Sequence, residues 1–165
     1  MSKRAQDLAQ RLQQGADALI AFVEPLSDAE WQTPCPGDGR PVGVVAHHVA
    51  SAYLVEVDFA RKLASGQAIS GITSETIDEG NAQHAREHAD PDKAETLELL
   101  RRNSALAAEA IGALSDEELD RVNPISLYRY TPLSTQYFIE DHPVKHSYHH
   151  LTTIQSAFDS ACTLG

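Results

Sequence analysis

Apolar residues recur every three or four positions along most of the chain, the spacing of a single buried helix face, and no alternating stretch is long enough for a sheet. Ser2 stands as a cap before Leu8, Leu12, Ala16, Leu19, Ile20 and Val23, which predicts a first long helix ending before Pro25. Ser27 with Glu30 three residues later is a capping-box pattern, opening one short helical turn that carries Trp31. Residues 33 to 41 hold three prolines and two glycines and are expected as a loop. A second long helix is expected from near Pro41 to about Ala64. Val45, Val49, Ala52, Glu56, Phe59 and Leu63 lie on one face of it, with His48 beside them and His47 almost opposite, at 100° per residue.

After a break from Gly66 to Gly71, Glu75 to His88 reads as a helix of thin apolar content, with Ile77, Asn81, His84 and His88 on one face. Pro91 opens a further helix running to about Leu114 through Leu97, Leu100, Ala107, Ala108 and Ile111. Ser115 and Glu118 then repeat the capping-box phrase seen at Ser27, which suggests two helix–turn–helix halves. Residues 121 to 133 contain Asn123-Pro124 and Thr131-Pro132 and are expected as a loop, with Tyr128, Arg129 and Tyr130 as pocket-lining candidates. Ser134 can cap a last helix running to about Ser160, kinked or split at Pro143. The expected fold is all-α: a four-helix bundle with long loops, in a single domain spanning residues 1–165.

The last helix carries four of the eight histidines: His142, His146, His149 and His150. His146 and His150 are one turn apart, as are His142 and His146, so two imidazoles can converge on one cation. Two ligands do not close a site, and a third must come from elsewhere. His48 is the inward candidate of the second helix, and His47 is expected in solvent. His149 points about 100° from His150 and is expected to be exposed. His142 can be a ligand or can support one. Glu56, on the apolar stripe, can orient a ligand histidine through a hydrogen bond. His84 and His88 form a second His-x-x-x-His, read as a solvated face or the lining of a site's mouth.

Composition narrows the function classes. The 165 residues suffice for one sizeable core, and 42 % hydrophobic with 22 % charged residues is an ordinary globular balance. A net charge of −11, with the thirteen lysines and arginines scattered, argues against a nucleic-acid partner. No stretch approaches the roughly 20 apolar residues of a membrane span, and the polar start lacks a signal core. Cys35 and Cys162 match neither a disulfide framework nor a common zinc spacing, so a reducing cytoplasm is the expected setting. Cys35, between two prolines, is a weak candidate nucleophile.

Three stretches together resemble the DinB-like superfamily: VGVVAHHVASAY at residues 42 to 53, HSYHHLTTI at 146 to 154, and WQTPCPG at 31 to 37. The last is similar to a phrase of the mycothiol-dependent maleylpyruvate isomerase branch. Aligning the first without gaps puts the family's histidine on His48, and the second puts its His-x-x-x-His on His146 and His150. The resemblance implies a divalent metal, zinc or nickel first, held by His48, His146 and His150. It also implies a low-molecular-weight thiol such as mycothiol, and chemistry of the thiol-transferase or isomerase type on a small molecule. This chain departs in its paired histidines at 47 and 48, its Pro143, and Asp38 where an aromatic residue often follows Pro-Cys-Pro-Gly.

Other readings stand beside that one. A metal-dependent hydrolase would use the same triad, and a non-enzymatic metal-binding or stress-response bundle would keep the fold without the chemistry. A structural ion would merely clamp two helices. Tyr53, Trp31 and Tyr148 are expected to pack the bundle. Val144, Tyr148, Leu151 and Phe158 make a broad stripe on which a homodimer can be built.

Overall fold

Each predicted cap forms. The computed structural model describes residues 2–159. Ser2 accepts from the Ala5 amide and starts α1 (Lys3–Val23), whose buried face includes the predicted leucines. Ser27 and Glu30 close a capping box on α2 (Asp28–Trp31). The loop that follows delivers Pro41 as the N-cap of α3 (Val42–Ala64). Beyond it lie α4 (Ser74–Glu87), α5 (Lys93–Gly112) and α6 (Asp116–Asp120). Ser115 and Glu118 box α6 with the same distances found at Ser27: 2.8 Å from cap amide to carboxylate and 3.2 Å from N3 amide to hydroxyl.

Around the bundle the long helices run in the order α1, α5, α3 and then the last helix, because α5 and that helix each pack on both α1 and α3. Helices linked by the short capped turns therefore face each other across the diagonal. One hydrophobic cluster, from Ala5 and Leu12 through Val49 and Leu100 to Ile154, fills the space between them. Full burial of each such leucine or isoleucine stabilises by roughly 1.5–3 kcal/mol. Gly43 is where α3 enters. A Cβ there would lie 2.3 Å from Trp31 Nε1, so only glycine lets α3 pass under the buried indole.

The segment expected as a loop between α6 and the last helix contains a hairpin. β1 (Val122–Ile125) and β2 (Thr131–Ser134) pair antiparallel, with Pro124 opposite Pro132. Two prolines are tolerated because a two-stranded ribbon has only edges. The hairpin is held by the end of α3: Asn123 Nδ2 donates to the Leu63 carbonyl and Arg121 to that of Ala64. Four-residue strands with no sustained alternation carry too little pattern to be seen in sequence.

The last helix is one rod of three pieces: α7 (Thr135–Ile139), a π-turn over Glu140–Val144, and α8 (Lys145–Asp159). Pro143 has no amide hydrogen for the regular ladder, and the chain widens by one turn instead of breaking. That extra residue sets the direction of every histidine after it.

Two expectations about packing change. Tyr148 is 42 % exposed rather than inside the bundle, its ring lying on Gly15 of α1. The stripe considered for a dimer is largely absorbed within the chain: Val144 is buried, and Leu151 and Phe158 pack on the core, Phe158 against Phe22. Cys162 and the expected end at Ser160 lie outside the described residues. No helix among the described residues is long and apolar enough to cross a membrane.

Candidate metal centre

Helix α3 brings His48, and α8 brings His146 and His150, to one point. The three ring centroids form a nearly equilateral triangle, 5.0, 5.0 and 4.8 Å on a side. One nitrogen from each ring lies within 4.8 Å of the others. Nε2 of His146 is 3.1 Å from Nε2 of His48. Two ligands of one tetrahedral zinc, each at 2.0–2.1 Å, would stand about 3.3 Å apart. The set therefore fits a divalent cation with imidazole ligands.

Glu56 completes the arrangement as its place on α3 suggested. Its Oε1 lies 2.7 Å from His146 Nδ1, and both side chains are almost buried, at 12 % and 13 % exposure. A carboxylate accepting from Nδ1 leaves the lone pair on Nε2, aimed at His48. His150 is buried, and its Nδ1 has no hydrogen-bond partner. Burial, reinforced by the neighbouring imidazoles, pushes the pKa of His48 down to about 2 and that of His150 to about 3. Both rings are neutral at pH 7, the form that binds a metal.

The triangle opens into a cavity of about 850 Å³. Its walls mix apolar groups such as Phe59, Ile72 and Phe138 with Arg40, Lys145 and Asn81. Arg40 holds Asp38 through Nε and Nη2, at 2.6 and 2.8 Å, while its Nη1 is buried without a partner. Nothing in the sequence pattern singled out Arg40, since its loop has no periodicity.

His142 lines the cavity but is not in the triangle. Its Nε2 lies 2.8 Å from the Tyr128 hydroxyl, and its ring stacks on Phe138. Tyr128 also donates to Asp141, whereas Tyr130 is exposed. His149 is exposed, as expected. Cys35 is buried, and burial pushes its thiol up to about 11, which removes it as a nucleophile near neutral pH.

The solvated reading of His47 does not hold. Helix α4 folds over that side of α3, so His47 is half-buried, with Nδ1 2.8 Å from His84 Nε2 and its ring stacked on His88. The signal was His84-x-x-x-His88, but nothing in the sequence says that α4 lies against residue 47.

A profile of the DinB superfamily matches residues 11–154. No curated protein matches the chain. Among solved structures, the chain is similar to YfiT from Bacillus subtilis, described as a probable metal-dependent hydrolase with an unusual four-helix bundle topology. The two share 19 % identity at a TM-score of 0.75, over 98 % of this chain and 90 % of that one, a likeness of fold. With the profile spanning both helices that carry the triangle, the chain belongs to the DinB superfamily.

Proposed function

We propose that His48, His146 and His150 hold a divalent cation, zinc or nickel first, and that the chain is a metal-dependent enzyme of the low-molecular-weight-thiol transferase or isomerase type. The observation that carries this reading is the triangle of imidazoles lining the 850 Å³ cavity. That volume is near the upper end of small-molecule sites, roughly 300–1,000 Å³, and suits a thiol together with its electrophilic partner. A cation bound there would polarise a substrate oxygen and make an incoming thiol or water acidic enough to be a nucleophile near pH 7.

The chain's own groups divide the remaining work. Glu56 fixes the tautomer and orientation of His146. Arg40, with a spare buried N–H, suits an anionic group of the thiol or its partner. The apolar wall around Phe59, Ile72 and Phe138 offers contact to the apolar part of a substrate. Cys35, buried and with its thiol pushed up to about 11, is too basic to serve as that thiol near neutral pH.

A metal-dependent hydrolase is the second reading, favoured by the fold it shares with YfiT. One experiment separates these readings. The zinc- or nickel-loaded protein is incubated with several low-molecular-weight thiols, mycothiol among them, and a chromogenic electrophile; a parallel arm offers activated esters and amides with no thiol. Thiol-dependent turnover abolished by a chelator supports the proposal. Chelator-sensitive cleavage without thiol selects the hydrolase, and no chelator-sensitive turnover in either arm leaves a binding bundle.

A further inference from the structure

A second triangle of imidazoles adjoins the first along α3, its His84 ring 5.5 Å from that of His48. The ring centroids of His47, His84 and His88 are 5.1, 4.2 and 4.9 Å apart, and one nitrogen from each lies within 4.8 Å of the others. His84 and His88 are one turn apart on α4, the spacing that lets two rings meet on one ion. His47 supplies the third ring from a different helix. It precedes His48 in sequence, so the two triangles share a stretch of α3 while looking in different directions.

The surroundings favour a cation. His47 and His88 line a cavity of about 410 Å³ whose other walls include Glu87, Asp90, Asp92 and Glu95 and no lysine or arginine. Nδ1 of His84 is buried without a partner, so the ring is not held by hydrogen bonds at both nitrogens. Helix α4 buries none of its residues in the core. Yet its Thr76, Ile77, Asn81 and His84 form one wall of the larger cavity above the first triangle. A helix so lightly attached needs something other than apolar contact to hold that wall in place.

We propose that His47, His84 and His88 form a second divalent-cation site, separate from the first triangle, that clasps α4 to α3 and fixes the wall of the larger cavity. Three imidazoles suit zinc, nickel or cobalt. Binding at this site orders α4 and does not depend on metal in the other.

Zinc stoichiometry on the full-length chain tests this. Chelator-treated protein is reloaded with Zn(II) alone, and bound metal is counted together with hydrogen exchange of residues 74–87. Two equivalents are expected in the wild type and one each in His84→Ala/His88→Ala and His48→Ala/His146→Ala. Zinc should slow exchange in α4 at least severalfold in the wild type and in His48→Ala/His146→Ala, but not in His84→Ala/His88→Ala. The single variant His88→Gln, at an exposed helix-cap position, guards against a folding defect and should also bind one equivalent. A wild type holding one equivalent that His84→Ala/His88→Ala retains would overturn the proposal, leaving only a hydrogen bond between His47 and His84. So would loss of all metal in both double variants, which would mean one shared ion. One equivalent surviving in His48→Ala/His146→Ala but not in His84→Ala/His88→Ala would support the second site while removing the first.

Discussion

The two imidazole triangles differ less in shape than in support. Both have sides of about 4–5 Å, and both take one ring from the His47-His48 pair. The first draws its other rings from α8, a helix packed into the core, and has Glu56 behind His146. The second draws its other rings from α4 and its cap, with no α4 residue buried in the core. Its carboxylates stand around the neighbouring cavity, with none hydrogen-bonded to an imidazole among the described residues. Only the first cavity also carries cationic groups, Arg40 and Lys145. Rigid ligands, a carboxylate behind one of them and a deep mixed cavity are what chemistry requires. Lightly held ligands under an acidic rim suit an ion that joins two helices.

The largest effect should come from breaking the first triangle. His146→Ala removes one ring and the partner of Glu56, leaving a nearly buried carboxylate unpaired. If the cation supplies several kcal/mol of transition-state stabilisation, chelator-sensitive turnover should fall roughly a thousandfold or more. Steady-state kinetics with matched metal analysis would detect this, and unchanged turnover would remove the first triangle from the chemistry.

Glu56→Gln should act next most strongly and on one triangle alone. The amide can still accept from Nδ1 but without charge, and loss of such a carboxylate typically weakens metal binding 10–100-fold. Competition with a chromogenic chelator would measure it. Equal weakening at the second triangle would contradict the separation of the two.

Gly43→Ala should disturb the start of α3. The new Cβ meets the Trp31 ring, whose Nε1 donates to the Pro91 carbonyl on the edge of the second cavity. Overpacking of this kind costs about 1–3 kcal/mol, and each kcal/mol lowers the melting temperature by about 2–4 °C in a chain of this size. Calorimetry would show it, and the second triangle should lose metal before the first.

The smallest effect concerns the rim of the first cavity. The hydrogen bond from Arg40 holds the Asp38 carboxyl below the usual carboxylate range. A pKa depressed in the folded state stabilises fully above the unfolded value, about 3.9, and that stability is lost as pH falls below it. Asp38→Asn should therefore flatten the acid limb of the unfolding profile below about pH 4 and leave the profile near pH 7 unchanged in shape.

The helices and their caps were legible because each signal is local. Ser2, Ser27, Ser115 and Ser134 sit just before the apolar periodicity begins, and all four accept from amides as predicted. The first triangle was legible in part: spacing within the last helix joined His146 to His150, helical phase turned His48 inward, and resemblance linked the two. What escaped depends on how distant segments lie together. His47 reads as solvated until α4 is laid over it, and Arg40 reads as loop until the cavity exists. The hairpin at residues 122 to 134 has strands too short to show alternation, and it is fixed by bonds to the end of α3.

An anomalous-difference map at the zinc absorption edge, from crystals of chelator-treated protein reloaded with Zn(II), shows whether the first triangle holds a cation. The expected result is a peak about 2.0–2.1 Å from one nitrogen each of His48, His146 and His150, absent in His146→Ala. Fully loaded crystals with no peak among those three rings would contradict it.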